Sequence, residues 1–521
     1  MINRRHGTAF WTLLDEAGVD ATVFKVPANF PPAECEARTL SGMGTPDLQN
    51  TYGIFSYITD DPLVSRDVDG GQVVPVALRD GRCTTAIPGP INRYHEDEPR
   101  AELPIAIEVD PAGEHVRLEI GGDELELAVG EWSDWVTLDF QMVPMIKRVT
   151  GICRFHLMEA RPTLRLYVTP VQIDPRRPEL PLSTPSGYAR ELADEVGLYY
   201  TQGLPEDTKA LDEGVMTDAD YVSQSETILA ERLAQLRYEL DRFRRLDAGF
   251  LFFYFNSPDQ TCHMFWRSFD QRSPTHADAD PAFRNRVRDL YAALDGAVAE
   301  AVAACDEETT ILVMSDHGFA PFRRNVHLNA WLLEHGYLAL KPGVRADEVE
   351  FLEGVDWRRT RAYALGINGL YLNLRGREAR GIVRPAEADA LLGEIAARLE
   401  ATVDPGVGEP AIKRAYRAGE IYRGDRLDTA PDLVIGYHRG WRGSNASALG
   451  AVGEVVFDDN VNKWSGDHCI AYDEVPGVIL SNRPLSVDDP DLRDLAPTVL
   501  ARFGVAPLPG MEGRDLLEPA R

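Results

Sequence analysis

The feature that most constrains the fold is a pair of short stretches, far apart in the chain, that each place an aspartate and a histidine after an apolar run. The first stretch is Ser257-Pro-Asp-Gln-Thr-Cys-His263, which follows Phe250-Leu-Phe-Phe-Tyr-Phe255. The second is Met314-Ser-Asp-His-Gly318, which follows Thr310-Ile-Leu-Val-Met314. Apolar strands that alternate with helices favour a mostly parallel sheet, whose ligands bind beyond the carboxyl ends of the strands. Both stretches are therefore predicted to lie at that edge.

The residue types in these stretches point to metal binding. Asp259 and His263 lie four residues apart, so on a helical turn their side chains share one face. Asp316 and His317 are adjacent, which suits a tight bend after a strand, and His468 follows in a polar loop. Imidazole and carboxylate ligands suit Zn²⁺, with Mn²⁺ as an alternative. For either motif alone, the competing interpretation is an aspartate that caps a helix and a histidine packed on the sheet.

Composition narrows the possible partners. The net charge of −29 argues against a nucleic acid polymer and against anionic membranes, since both need basic surfaces. A small anionic substrate stays possible where bound metal ions supply positive charge. No stretch reaches the roughly 20 apolar residues of a membrane span, and the start of the chain has no apolar signal core. We therefore expect a cytoplasmic protein without a membrane span; the sequence gives no oligomeric state.

The predicted fold is α/β, with a mostly parallel doubly wound sheet, helices on both faces and an inserted antiparallel β subdomain. Residues 1–65 are predicted to form the first part of the α/β domain, and 176–521 its remainder. Residues 66–175 differ because short alternating segments between Gly, Asp and Pro turns predict antiparallel strands. Helices are predicted over residues 8–17, 217–245 and 283–304 and from Asp494 to Leu500.

Several further polar residues have two interpretations each. Glu206, Asp207 and Lys209 form a polar cluster before the long helix, and a solvated loop is the favoured interpretation. His327 either lines a pocket or begins the next helix, and we favour the helix start. Asn368 lies at the Gly turn of a predicted strand pair, where its side chain could point into the site and bind substrate.

Four pieces of the chain, taken in order, resemble the alkaline phosphatase superfamily in its type I phosphodiesterase/nucleotide pyrophosphatase-like branch. They span about 265 residues of the second half of the chain. The pieces are Pro258-Asp259 with His263, Ser315-Asp-His-Gly-Phe319, Gly466-Asp-His468, and Asp494-Leu-Ala-Pro-Thr-Val-Leu500 followed by Gly510-Met-Glu-Gly-Arg514. The resemblance implies an alkaline phosphatase-like fold.

By this resemblance the site holds two divalent metal ions, zinc or manganese. One ion would be held by Asp259, His263 and His468. The second would be held by Asp316 and His317, with a further Asp on the first strand of the fold. A Ser or Thr nucleophile would attack phosphorus, and metal coordination would help its hydroxyl to ionise.

The chain departs from this pattern at its start. The first strand with its Asp, and the Ser/Thr nucleophile loop, are expected upstream of Met1, because the chain begins with the helix predicted at 8–17. Three explanations compete: a start at an internal Met or a fragment, a second polypeptide that supplies the missing part, or a non-catalytic relative. The catalytic nucleophile is thus unknown, and whether the chain is itself an enzyme is left open. If a central strand is missing, we expect poor solubility.

Two classes of function follow. The leading hypothesis is a metal-dependent hydrolase of small phosphate esters, with a diesterase favoured over a phosphomonoesterase. The alternative is a non-catalytic metal- or ligand-binding scaffold that uses the β insertion as its interaction surface. A sulfatase is disfavoured because neither Cys35-Glu-Ala-Arg nor Cys83-Thr-Thr fits the Cys-x-Pro-x-Arg nucleophile pattern.

Overall fold

The computed structural model describes residues 5–424 and 426–517 of the chain. Its helices, numbered in chain order, are α1 (Phe10–Glu16), α2 (Tyr188–Val196), α3 (Thr208–Asp212), α4 (Asp218–Phe243), α5 (Ser257–Phe265), α6 (Arg286–Ala304), α7 (Leu328–Glu334), α8 (Pro385–Glu400), α9 (Ala418–Ile421), α10 (Asn445–Ala448) and α11 (Leu495–Arg502).

Its strands are β1 (Asp20–Phe24), β2 (Arg38–Leu40), β3 (Phe55–Thr59), β4 (Gly71–Pro75), β5 (Arg82–Ile91), β6 (Arg100–Val109), β7 (His115–Ile120), β8 (Asp123–Ala128), β9 (Val136–Val143), β10 (Lys147–Cys153), β11 (Phe155–Glu159), β12 (Arg165–Val168), β13 (Gln172–Ile173), β14 (Ser183–Thr184), β15 (Gly249–Phe253), β16 (Leu312–Met314), β17 (Ala320–Val326), β18 (Ala362–Ala364), β19 (Gly369–Leu372), β20 (Val403–Asp404), β21 (Glu409–Pro410), β22 (Ile412–Arg417), β23 (Leu433–Tyr437), β24 (Gly440–Gly443), β25 (Phe457–Asp459), β26 (Gly466–Asp467) and β27 (Ile479–Ser481).

The helix predictions are confirmed, because α1, α4, α6 and α11 lie within the predicted segments or within two residues of them. Helix α4 begins at a capping box in which the Thr217 hydroxyl and the Asp220 carboxylate each accept the other residue's backbone N–H. No helix in residues 5–424 and 426–517 combines the length and apolar character that a bilayer crossing requires.

The described chain divides into two compact units that are interleaved along the sequence. The first unit takes the described residues of Met1–Gln260, Tyr291–Ile311 and Ser481–Arg521. The second takes those of Thr261–Leu290 and Leu312–Leu480.

The first unit combines a short parallel ladder with several antiparallel sheets. Strand β1 pairs in parallel with β2 on one side and with β15 on the other. Its residues from Ala21 to Phe24 are buried, as expected for a strand covered on both faces. The strands β5, β6, β7 and β8 form an antiparallel sheet, as the alternation within residues 66–175 predicted. Ile105, Leu118 and Phe140 of this region are buried in one cluster with Phe24.

The second unit is built around an antiparallel sheet in the order β18-β19-β23-β22. The strands β18 and β19 form the predicted pair around a Gly turn. Trp331 of α7, Ile395 of α8 and Ile435 of β23 belong to its buried apolar core. Strand β17 pairs in parallel with β24 and in antiparallel fashion with β25 and β26. In the last pairing, β17 follows His317 and β26 precedes His468.

The prediction of a mostly parallel, doubly wound sheet is wrong. The strands form several small separate sheets in which most pairings are antiparallel. Parallel pairing is seen for β1 with β2 and β15, for β3 with β4, and for β17 with β24. Strand β23, whose sequence Leu433-Val-Ile435 is apolar, runs antiparallel to both β19 and β22. An apolar run indicates that a strand is buried on both faces. Neighbouring helices and sheets can bury a strand in this way whether its partner strands are parallel or antiparallel.

Candidate metal centre

His263 is fixed in position by the helix that carries it and by its own ring hydrogen bond. It lies in the last turn of α5 and is 2% exposed. Its Nδ1 lies 2.7 Å from the Gly466 carbonyl oxygen, and since a carbonyl oxygen only accepts, Nδ1 carries the proton. Nε2 therefore holds the lone pair that a metal ion needs. Trp464 stacks on the imidazole with ring centroids 3.7 Å apart, and Phe319 meets it edge-on at 4.8 Å.

The pairing of β17 with β26 brings His317 and His468 together. Ala320 pairs with Asp467 and Pro321 with Gly466, so the two histidines leave the same end of the pair. Their rings stack at 12° with centroids 3.6 Å apart, and each offers a ligand atom within 4.8 Å of the other.

The three histidines form one cluster, which we call the histidine cluster. The ring centroids of His263 and His468 lie 5.2 Å apart. The Nδ1 of His317 lies 3.0 Å from the Gly318 carbonyl oxygen, so this ring, like that of His263, has its lone pair on Nε2. Phe319 contacts all three rings, with centroid distances of 4.8 to 5.5 Å. The family resemblance implies that these histidines are divided between two metal ions, whereas in the structure His317 stacks on His468. That division stays a prediction.

Asp467 orders the backbone next to His468. Its side chain is buried and lies 2.8 Å from the Arg442 Nε. The backbone N–H groups of His468 and Cys469 donate to its Oδ1, and the Trp464 indole donates to its Oδ2. Burial acts to raise the pKa of Asp467, but Arg442, His263 and the Cys469 N–H together bring it below its usual value. This charged carboxylate therefore stabilises the loop that presents His468.

The two predicted aspartate ligands lie on different elements. The Asp316 side chain is 46% exposed, and its carboxylate lies 3.6 Å from the Nε2 of His317. Asp259 lies in the first turn of α5, four residues before His263, and accepts a hydrogen bond from the Gln260 side chain. The roles of both aspartates as metal ligands stay predictions.

Asn368 and His327 each have defined polar contacts. The Asn368 Nδ2 donates to the Ile435 carbonyl at 2.6 Å and to the Cys469 carbonyl at 3.1 Å, so it ties β23 to the segment after His468. Substrate binding by Asn368 stays a prediction. His327 immediately precedes α7, in line with the favoured interpretation, and its Nε2 lies 3.1 Å from Asp458.

The interpretation of Glu206 and Asp207 as a solvated loop is wrong, because they are only 3% and 7% exposed. Glu206 accepts hydrogen bonds from the Asn256 amide at 2.5 Å and from the Ser257 hydroxyl at 2.6 Å, where α5 begins. These partners come 50 and 51 residues later in the chain, so no local pattern could reveal them. Lys209 does reach solvent, with 45% of its side chain exposed.

Sequence reasoning also missed a buried lysine beside these carboxylates. Lys25 directly follows β1, is 2% exposed, and donates from Nζ to the Tyr200 carbonyl at 2.9 Å. The pKa of Lys25 is lowered mainly by burial and next by the charge of Arg232. The charges of Glu231 and Glu206 oppose this shift. The only signal in the sequence was a lysine that interrupts an apolar strand end, Ala21-Thr-Val-Phe-Lys-Val26.

The side-chain types of the histidine cluster suit a divalent transition-metal ion, and His317 and His468 each offer a ligand atom within 4.8 Å of the other. The ring hydrogen bonds from Nδ1 leave the lone pairs of His263 and His317 on Nε2, and Phe319 and Trp464 contact the imidazoles. Neutral imidazole suits Zn²⁺ and other transition metals, and hydrogen bonds from Nδ1 to backbone carbonyls are the usual support for such ligands. This part of the chain can therefore hold a metal ion.

Residues 160–455 match the family model described as type I phosphodiesterase / nucleotide pyrophosphatase. No curated protein and no solved structure is similar enough to the chain to give a match. The matched segment contains His263 and His317 and ends before His468. It confirms the resemblance to this branch of the alkaline phosphatase superfamily. Since the match covers more than half of the chain, the protein belongs to the type I phosphodiesterase / nucleotide pyrophosphatase family of hydrolases.

Proposed function

We propose that the chain acts as a metal-dependent hydrolase of phosphoric esters, with small phosphodiesters as its favoured substrates. In this proposal His263, His317 and His468 are metal ligands, and Asp259 and Asp316 complete the set for two divalent ions, zinc or manganese. The observation that carries the proposal is the histidine cluster, whose rings lie 3.6 and 5.2 Å apart in a chain of a phosphodiesterase family.

A bound divalent cation would polarise a phosphoryl oxygen and offset the charge that develops on the reacting phosphate. The chain's own residues present and protect the ligands. Gly466 and Gly318 fix the imidazole tautomers through their carbonyl groups. Trp464 stacks on the His263 ring and Phe319 meets it edge-on, and His263 is only 2% exposed, which strengthens electrostatic interactions there. With a net charge of −29, local positive charge from a bound cation would favour binding of an anionic ester.

The experiment measures metal binding and hydrolysis in the same samples. Zinc content and Zn²⁺ affinity are determined for the protein and for His468→Ala, and hydrolysis is followed with bis(p-nitrophenyl) phosphate. We expect bound zinc, diester hydrolysis that is lost on chelation and restored by Zn²⁺ or Mn²⁺, and an affinity loss of about tenfold or more in the variant. A lower rate with p-nitrophenyl phosphate would support the diesterase assignment.

The matched control is His438→Ala. His438 belongs to the same unit and lies 3.5 Å from Glu474, outside the histidine cluster. This variant should keep its zinc and its activity. Equal losses in both variants would contradict the assigned ligands, and zinc binding without any diester hydrolysis would overturn the hydrolase in favour of a metal-binding protein.

A further inference from the structure

A cavity of about 470 Å³ lies in the second unit, one helical turn beyond His263. Its walls include Trp266, which directly follows α5, and Phe269, which lies three residues further on. The two ring centroids are 5.0 Å apart and tilted by 53°. Phe269 is 40% exposed, so part of this apolar side chain is open to solvent. An aromatic ligand could stack against this side chain.

Three arginines line the same cavity: Arg272, Arg323 and Arg439. The carboxylate of Asp270, which also lines it, binds Arg323 through two hydrogen bonds of 2.7 and 2.8 Å. This pairing compensates one charge and holds the Arg323 guanidinium in one orientation. Arg272 and Arg439 are exposed, so the lining keeps an excess of positive charge.

The positive charge of this lining is opposite in sign to the net charge of the chain. With a net charge of −29, most of the surface repels anions. Guanidinium groups recognise phosphate, sulfonate and carboxylate through paired donors, and they also stack on aromatic rings. A cavity with both planar rings and guanidinium groups therefore favours a ligand that has an aromatic ring and an anionic group.

Trp266 connects the cavity to the histidine cluster. Its ring lies nearly parallel to that of Phe319, with centroids 6.2 Å apart, and Phe319 contacts His263. A ligand in the cavity would thus lie two aromatic side chains away from the His263 imidazole.

We propose that this cavity binds a planar aromatic ring that carries an anionic group, stacked against Phe269 and Trp266 and bound by Arg272 and Arg439. That this ligand is the non-reacting end of an ester substrate rests on the proposed function. Binding itself does not, because none of the cavity residues named here is a proposed metal ligand.

The test is calorimetric titration of the protein with 2-naphthalenesulfonate in the presence of EDTA, so that the metal centre does not contribute. We expect binding that weakens as ionic strength rises, and much weaker binding of methanesulfonate and of 2-naphthol, which each offer one half of the ligand. Arg439→Gln should weaken binding about tenfold, and Phe269→Ala about fivefold. Both side chains are exposed, and thermal melts should show that both variants stay folded.

The matched control is Arg358→Gln, an exposed arginine of the same unit outside the cavity lining. It should bind the sulfonate like the unaltered protein. Absence of binding, equal weakening in Arg358→Gln and Arg439→Gln, or binding that needs added Zn²⁺ would each overturn the proposal. Because the titration is made without metal, its failure leaves the hydrolase proposal intact, and loss of zinc-dependent hydrolysis leaves this one intact.

Discussion

At the residue scale, Glu206 is positioned to hold the start of the helix that carries Asp259 and His263. Its carboxylate is buried and accepts hydrogen bonds from Asn256 and Ser257. In Glu206→Gln, an amide NH₂ replaces one acceptor oxygen and faces a donor. We expect the free energy of unfolding to fall by about 1 to 3 kcal/mol and Zn²⁺ affinity to fall with it, as measured by urea unfolding and zinc titration.

The control for this change is Glu195→Gln on α2, where the glutamate is exposed. It should alter neither quantity. If the two variants behave alike, Glu206 does not position α5. If Glu206→Gln lowers stability while zinc affinity stays unchanged, Glu206 contributes to stability alone.

Asp207 should make stability depend on pH in a definite window. Burial raises its pKa to about 6, against the favourable hydrogen bonds from Tyr167 and the Ala210 N–H. The folded state therefore holds this proton more tightly than the unfolded state, so stability falls as pH rises from about 4 to about 6. Asp207→Asn keeps an acceptor for the Ala210 N–H but cannot titrate. Its free energy of unfolding should therefore fall by about 2 to 3 kcal/mol less over this pH range than that of the unaltered protein.

Urea unfolding of Asp207→Asn and of the unaltered protein across that pH range gives the comparison. The difference between their two free energies of unfolding at each pH gives the contribution of Asp207 alone. Glu206 and Glu231, whose pKa values burial also raises, contribute equally to both proteins. Asp241→Asn, at an exposed position of α4, is the control and should follow the unaltered protein. Parallel curves for all three proteins would show that Asp207 is charged throughout.

The same residues show how far sequence reasoning reaches at this scale. Asp316 with His317, and Asp259 with His263, stand out because each pair is local and follows an apolar strand. The buried contacts of Glu206 and Asp467 were not predicted, since they depend on partners brought close by the fold. Local chemistry can be predicted from local sequence, whereas the burial that gives a carboxylate its role cannot.

At the element scale, the contact between α5 and β26 positions His263. Gly466 lies so close to α5 that an added Cβ would be 2.5 Å from the Cys262 carbonyl oxygen and 3.0 Å from the Trp266 Cβ. The carbonyl of Gly466 also accepts the His263 Nδ1–H. Gly466→Ala should therefore separate the two elements, lower the free energy of unfolding by about 1 to 3 kcal/mol and weaken zinc binding, as thermal melts and zinc titration would show.

Gly419→Ala on α9 is the matched change, because an added Cβ there meets no atom within 4 Å. It should leave zinc affinity unaltered. A Gly466→Ala variant with normal stability and normal affinity would mean that β26 tolerates displacement and that its contact with α5 does not position the ligand.

Elements were predicted better than their arrangement. The helices α4 and α6 follow from apolar periodicity, and β1 and β15 from apolar runs between turn signals. Pairing direction did not follow, as β23 shows, because the side-chain pattern of a buried strand is the same in parallel and antiparallel ladders. The pairing of β17 with β26 could not be predicted either, since their paired residues lie about 145 positions apart.

At the scale of the whole molecule, zinc should stabilise the two units unequally. The histidine cluster belongs entirely to the second unit, which has its own buried core around Trp331 and Ile435. A ligand that binds only the folded site stabilises it by about 2.7 kcal/mol at a hundred times its dissociation constant. Amides whose exchange requires opening of the second unit should therefore slow markedly on zinc addition, first in β17, β26 and the second half of α5.

Hydrogen exchange measured by mass spectrometry tests this directly, with the sheet β5-β6-β7-β8 of the first unit as the internal reference. Its amides should exchange at nearly the same rate with and without zinc, because none of its strands carries a proposed ligand. Uniform slowing in both units would mean that they open as one cooperative body. Slowing confined to the first unit would contradict the histidine cluster as the zinc site, since a metal ion protects the structure whose side chains it binds.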